Sequence, residues 1–388
     1  MSSITYGGYG GRVRTSSSVW RGWDRFDYIM VAAALALVSY GLILIYSGSL
    51  PWYDGPVASF ANPVAKQLIF ASIGIAAMLV VSKVDYHYFT HYAWVLYGIG
   101  IVSLIAILLI GQTAYGSTRW FDLGPIQVQP SEFAKIATIL ALARFFSEHG
   151  GDARDLRTLL TSLAIVAPVA GLVFIEPDLG TTIVFFAIWL GVVVVAGVSR
   201  SHLMVMGAIF IAALPFLWTF AIADYQVERV SVLVDPERDP LDAGYNVIQS
   251  QIALGSGQVL GKGFTNGDQT QLEYLKVATK DFIFSLMGEE FGFVGAMVMF
   301  ALFILLLMRG IRAAQLAGDT AGQLVAVGIV MLILMQAFIN IAVNVSLFPV
   351  TGIPLPFVSQ GGSSLVSLFV SLGILQSIVM RHRAYRQS

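Results

Sequence analysis

Long apolar runs broken by short polar segments dominate this chain. Ten runs are long enough to read as spans: 28–48, 67–82, 92–111, 131–147, 159–175, 181–198, 202–222, 282–307, 322–347 and 361–380. A helix needs roughly 20 mostly apolar residues to cross the hydrocarbon of a bilayer. The runs are continuous and do not alternate with polar positions, so strands with the polar inner face of a barrel are not expected. The pattern predicts an all-α polytopic membrane protein with about ten transmembrane helices. One long connection, 223–281, separates the seventh and eighth runs. Within it, 244–254 has the spacing of a short amphipathic helix lying on the membrane surface. The expected organisation is a disordered tail over 1–27, a membrane domain over 28–380 that includes the long loop, and a short tail over 381–388. No second soluble domain and no internal repeat stands out.

Composition agrees. Of the 388 residues, 57% are hydrophobic and 12% charged, with a mean hydropathy of +0.77. Soluble domains carry about 25% charged residues, so this chain has too little polar surface to cover a globule in water. The net charge of −1 gives no sign of a nucleic-acid partner. The absence of cysteine excludes disulfides, iron–sulfur clusters and thiolate metal sites. Residues 1–27 carry Arg12, Arg14, Arg21 and Arg25 but no convincing cleavage site follows, so the first apolar run is expected to be retained. With the N-terminus placed in the cytoplasm and the spans alternating, fourteen of the 22 Lys and Arg fall inside and eight outside. The positive-inside rule then puts both termini in the cytoplasm and the 223–281 loop outside.

Charges within membrane helices cost about 2.5–3.5 kcal/mol each at the helix centre on insertion scales, so those that remain are candidates for function. In RWFDLGPIQVQPSEFAK, Glu132 and Lys135 lie three apart on one helix face, suited to a salt bridge at a helix end or to a substrate. Arg119 beside Trp120 is placed to hold a phosphate at the interface. In IEPDLGTT, Glu176 and Asp178 flank Pro177, and Asp178 either caps the following helix or contributes to a site. In KDFIFSLMGEEFGFVG, Asp281 stands where the long loop enters the eighth span, with Glu289 and Glu290 two turns deeper. Helical geometry places Glu289 about 80° around from Asp281, facing the same cavity, and Glu290 toward a neighbouring helix. A carboxylate at a dry boundary has a raised pKa, which suits a general base; a plain helix-dipole role is the alternative. FPVTGIPLPFVSQGGSSL has an irregular backbone at membrane depth, which survives only when buried in protein or lining a cavity. Its Ser363 and Ser364 are placed to hold an anion at a helix start, unless the segment is simply a tight turn.

Five segments in this order, RWFDLGPIQVQPSEFAK, PDLGTT, GYNVIQSQIALGSGQVLGKGF, DFIFSLMGEEFGFVG and PVTGIPLPFVSQGGSSL, resemble the SEDS family (shape, elongation, division and sporulation proteins). The resemblance runs from about Asp27 to Met380 and is closer to the elongation than to the division members. It implies a peptidoglycan glycosyltransferase that links lipid II disaccharides into β-1,4 glycan strands at the outer face of the bacterial cytoplasmic membrane. It also implies that the growing strand on undecaprenyl diphosphate is the donor, and that Asp281, in the DFIF motif, is the base that deprotonates the acceptor 4-hydroxyl. Arg119, Lys135 and Arg229 are the cations available for the diphosphate. Mg²⁺ or Mn²⁺ is compatible with it, although no dedicated metal cage and no obligatory cofactor is evident. A class B penicillin-binding protein, a transpeptidase, is the implied partner. Two departures lie near Asp281. The family's Pro-Glu-x-His-Thr is Lys276-Val277-Ala278-Thr279-Lys280 here, and its tyrosine before GGSS is Gln360. Two other readings remain: a flippase for the lipid-linked precursor, and a non-catalytic scaffold for cell-wall enzymes.

Overall fold

The computed structural model describes residues 23–56, 59–114, 117–122, 124, 127–149, 155–220, 224–236, 243–275 and 277–381. Residues 1–22 of the tail expected over 1–27, Lys276 and the end of the chain over 382–388 lie outside these residues. The helices in order are α1 (Tyr28–Ser49), α2 (Pro63–Lys83), α3 (Tyr86–His91), α4 (Ala93–Ile110), α5 (Pro130–Glu148), α6 (Leu156–Ile175), α7 (Leu179–Ala196), α8 (Arg200–Phe220), α9 (Asp224–Val234), α10 (Ala243–Gly257), α11 (Asp268–Gln271), α12 (Ile283–Leu316), α13 (Thr320–Asn344) and α14 (Gly362–Arg381). The ten with 18 or more residues coincide with the ten expected spans. Eight of them are long and apolar enough to cross a membrane. The helix α5 falls short because Glu132, Lys135, Arg144 and Glu148 lie within it. The side chains of the second half of α8 lie outside the described residues. The chain is an all-α polytopic membrane protein.

Side-chain caps start several of these helices. Asp27 accepts from the Met30 N–H at 3.0 Å to open α1. Asn62 accepts from Val64 and Ala65 at 2.9 and 3.3 Å to open α2, with Pro63 at its first position. Such caps satisfy the N–H groups that a helix start leaves unpaired. The helices α13 and α14 form the centre: α14 packs along α2, and α13 sits among α5, α7 and α12. By contrast α4 keeps Ile99, Val102, Leu109 and Ile110 exposed, the surface expected toward lipid tails.

Strands do occur, against the expectation from the apolar runs. The strands β1 (Gln112–Ala114), β2 (Ser117–Asp122) and β3 (Gln127–Val128) form a small antiparallel sheet between α4 and α5. The segment is polar and lies between two spans, where water can satisfy an open sheet edge.

The long 223–281 connection contains α9, α10 and α11. The expected surface helix exists as α10, but it packs against α12. Ser250 on α10 is fully buried, its hydroxyl 2.5 Å from that of Ser285 and 2.8 Å from the Asn344 carbonyl. The close approach depends on glycine: a Cβ on Gly257 would lie 1.8 Å from the Gly288 carbonyl oxygen. Farther on, α12 is broken at Gly292, whose φ of 61° and ψ of −158° are not helical. The loop after α10 supplies the pairing that the break leaves open. The N–H groups of Lys262 and Gly263 donate to the carbonyls of Glu289 and Glu290, while those of Phe293 and Val294 donate to Gln258 and Val259, at 2.9–3.1 Å. Exposed backbone groups in a membrane helix are tolerated only with such substitutes.

Candidate active site

A cleft of about 190 Å³ lies where α2, α12 and α14 begin and beside β3. Lys66, Gln67, Phe70, Trp120, Lys280 and Asp281 line it, with Gln127, Gln129, Gln360, Ser363 and Ser364 on its other walls. Asp281 precedes α12 and is partly exposed to the cleft. Its backbone is held from α13: the side-chain amides of Asn340 and Asn344 donate to its carbonyl at 3.0 and 2.9 Å. Asn344 also accepts from the Ser285 N–H and hydroxyl at 3.0 and 2.6 Å, fixing the first turn of α12. No hydrogen bond or ion pair among the described residues reaches the Asp281 carboxylate. Burial pushes its pKa up, against the opposing pull of Lys280, Arg119 and Arg229. A carboxylate raised in this way is a better proton acceptor near neutral pH.

The irregular segment 351–361 forms another wall, and its polar groups are paired, as backbone at this depth requires. Asn340 donates to the Ile353 carbonyl at 2.8 Å, Ser359 to the Lys280 carbonyl at 2.6 Å and Gln67 to the Ser359 carbonyl at 3.1 Å. The two departures from the family pattern meet here: the Thr279 hydroxyl donates to the Gln360 side chain at 3.1 Å, and the Gln360 N–H donates to the Thr279 carbonyl at 3.0 Å. Ser363, in the first turn of α14, donates to the Gln127 carbonyl at 2.9 Å and accepts from the Gln129 N–H at 3.1 Å, so it fastens β3 to the cleft. Ser364 beside it is buried in the lining.

The other sequence candidates lie around the cleft. Consecutive strand residues point to opposite faces, so β2 sends Trp120 to the cleft and Arg119 to the turn between α6 and α7. There Arg119 is buried, donates to the carbonyls of Glu176 (3.1 Å) and Pro177, and lies 3.7 Å from Asp178. Asp178 caps α7, accepting from the Thr181 N–H and hydroxyl at 3.0 and 2.9 Å. Glu176 is buried with one carboxylate oxygen unpartnered, and desolvation, reinforced by Asp178 and opposed by Arg119, pushes it up to about 8. Glu132 and Lys135 form a buried ion pair of 2.8 Å in the first turns of α5, and Ser367 donates to the second Glu132 oxygen at 3.2 Å. Breaking such a pair typically costs about 3–5 kcal/mol, and neither residue lines the cleft. Arg229 donates to the Val350 carbonyl at 3.0 Å.

Glu289 does not share a cavity with Asp281. It accepts from Lys262 at 3.0 Å, from the Gln269 and Thr270 N–H groups at 2.9 and 3.3 Å and from the Thr270 hydroxyl at 3.1 Å. It thereby anchors α11, and its angle around α12 could not reveal a partner contributed by the loop. Glu290 bonds to Ser47 on α1, a neighbouring helix, as expected. Gln67, Asn340 and Asn344 were not singled out from the sequence. The only trace of the asparagines is their i, i+4 spacing in an otherwise apolar helix.

Among the described residues, Asp281 is the sole carboxylate in the cleft lining, and it shares that lining with two ammonium groups. No cluster of three or more His, Asp or Glu suited to a metal occurs among the described residues. A divalent cation here would meet one carboxylate and two positive charges, so the donor set does not fit Mg²⁺ or Mn²⁺. A larger cavity, about 570 Å³, lies at the opposite ends of α12 and α14. Its buried carboxylate, Asp27, is engaged by Arg309 at 2.6–3.1 Å, and its other acid, Asp24, is exposed to solvent.

A family model for FtsW, RodA and SpoVE, described as cell cycle protein, matches residues 27–384. The chain is 38% identical over 358 residues to the peptidoglycan glycosyltransferase MrdB of Escherichia coli K12, covering 92% of this chain and 94% of the relative. A solved chain from a peptidoglycan synthase complex that coordinates polymerization and crosslinking superimposes with a TM-score of 0.78 at 29% identity, covering 94% of this chain and 99% of the other. The rod shape determining protein RodA of Thermus thermophilus gives 0.67 at 26% identity over the same shares.

Proposed function

Because the chain belongs to the family of FtsW, RodA and SpoVE cell cycle proteins, we propose that its cleft polymerises peptidoglycan glycan strands from lipid-linked disaccharide, with Asp281 as the base. The chain is a peptidoglycan glycosyltransferase and an integral membrane protein. The observation that carries the catalytic assignment is the Asp281 carboxylate: free of hydrogen bonds, pinned through its backbone by Asn340 and Asn344, and open to a cleft with sugar-binding and anion-binding chemistry. Side-chain amides from Gln127, Gln129 and Gln360 suit hydroxyl and acetamido groups, and the Trp120 ring offers an apolar face for a pyranose. Asp281 takes the proton of the acceptor 4-hydroxyl. The oxygen attacks the anomeric carbon of the donor sugar from the face opposite the diphosphate. The carbon–oxygen bond to the diphosphate breaks with its electron pair, and the configuration inverts.

The distribution of Lys and Arg supports a cleft on the outer face and both termini in the cytoplasm. A lipid-linked substrate would enter between helices, with its tail in the bilayer. A class B penicillin-binding protein is the expected partner, in keeping with the complex that the fold resembles. The test is glycan polymerisation from labelled lipid II by the purified chain with such a partner, comparing wild type with Asp281→Asn. Loss of a positioned base is expected to slow the reaction about 10²–10⁴-fold in a variant that melts like wild type. Equal polymer from both proteins would remove Asp281 from the mechanism.

A further inference from the structure

We propose that Lys66 and Lys280 together neutralise the substrate diphosphate in this chain, so that turnover needs no divalent cation. The inference rests on reading the cleft as a lipid-diphosphate site and names what balances the leaving group's charge.

The cations singled out by the sequence have other commitments. Arg119 is buried and spends its donors on the carbonyls of Glu176 and Pro177. Lys135 is buried against Glu132 at 2.8 Å. Arg229 donates to the Val350 carbonyl. None of the three lines the cleft. Lys66 and Lys280 do line it, from the first turn of α2 and from the residue before Asp281. Neither has an acidic partner among the described residues; the Lys66 ammonium lies over the Phe60 ring, 5.7 Å from its centroid. Unpaired ammonium groups beside a single carboxylate repel a dication and attract a polyanion. Lysine is also a common phosphate ligand, acting as a compact point charge.

The chemistry of the transfer gives them their role. As the anomeric carbon–oxygen bond breaks, the diphosphate takes the bonding pair and one more unit of negative charge. The proton from the acceptor hydroxyl goes to Asp281 and then to water. Two fixed positive charges at the leaving group stabilise the charge that develops there. Lys280 stands next to the base in sequence, so the deprotonating and neutralising groups enter the cleft from one short segment.

The experiment measures binding of geranylgeranyl diphosphate to the full detergent-purified chain in EDTA and in Mg²⁺, with lipid II polymerisation alongside. The proteins are wild type, Lys66→Gln, Lys280→Thr, the double variant and Lys280→Arg. Wild type is expected to bind equally well in EDTA and Mg²⁺. Each single variant should bind about 10-fold more weakly and the double variant about 100-fold more weakly, as the loss of charge-assisted contacts implies. Lys280→Arg should recover most of the binding. Lys280 is exposed, so its replacement leaves the packed structure intact. Binding that collapses in EDTA, or lysine variants that bind like wild type, would overturn the proposal while leaving polymerase activity to stand on its own assay. Lysine-dependent binding without polymer from any protein would instead remove the glycosyltransferase reading and keep the diphosphate site.

Discussion

Glu176 ends α6 with one carboxylate oxygen that no donor reaches, and its proton is held up to about pH 8 by burial beside Asp178, against the pull of Arg119. A carboxyl whose folded-state pKa lies above its unfolded value of 4.5 binds more protons in the folded chain than in the unfolded one. Stability from this group is therefore complete below about pH 4.5 and falls as pH rises toward 8. Glu176→Gln keeps the shape and removes the titration. In detergent, the variant is expected to melt several degrees above wild type at pH 8, with the gap closing toward pH 5. A gap independent of pH would mean that burial does not hold this proton. Charged residues at such positions were legible in the sequence because a carboxylate in an apolar run stands out. Asn340, Asn344 and Gln67 were not, since a neutral amide in a membrane helix gives no comparable signal. Nor could the sequence assign the partner of Glu289, because Lys262 and α11 reach it from a loop 19 or more residues away.

At the level of elements, hydrophobicity marked the spans but not how their ends are finished. The eighth span was expected over 282–307, and α12 continues to Leu316 because a helix need not end where the apolar run does. The stretch 255–263 is rich in glycine, a composition that marks turns. Its actual task, satisfying the break in α12, depends on a contact between distant parts of the chain. Gly292 is the critical position. Its φ and ψ lie in a region essentially reserved for glycine, and a Cβ would stand 2.3 Å from the Gly261 nitrogen and 2.7 Å from the Val259 oxygen. Gly292→Ala is expected to cost at least about 2–3 kcal/mol, read as a lowered Tm and faster proteolysis at 258–264. Gly98 on α4 meets nothing within 4 Å, so Gly98→Ala should change stability by less than about 1 kcal/mol, in the stabilising direction. Matching melts for the two variants would show that the break in α12 does not depend on glycine.

For the whole molecule, the sequence made the class of fold plain, because a chain so poor in charge has only the bilayer as solvent. The way the starts of α2, α12 and α14 meet around the cleft emerges only from packing, with α13 and α14 at the centre of the bundle. The cleft and the Arg309–Arg312 end of α12 lie far apart: beyond the break at Gly292, the 19 steps from Phe293 to Arg312 alone rise roughly 28 Å at about 1.5 Å per residue, close to the hydrocarbon thickness of about 30 Å. A polymerase acting on finished precursor needs its cleft on the outer face alone, whereas a flippase must open the same site to each side in turn. The chain has no cysteine, so single cysteines report position without background. Lys280→Cys is expected to react with a membrane-impermeant maleimide in intact cells with the outer membrane permeabilised, and to stay unreactive in inverted vesicles. Arg312→Cys, exposed at the far end of α12, should show the reverse. Labelling of Lys280→Cys from both sides would mean that the cleft alternates its access, and the transport reading would then displace the polymerase.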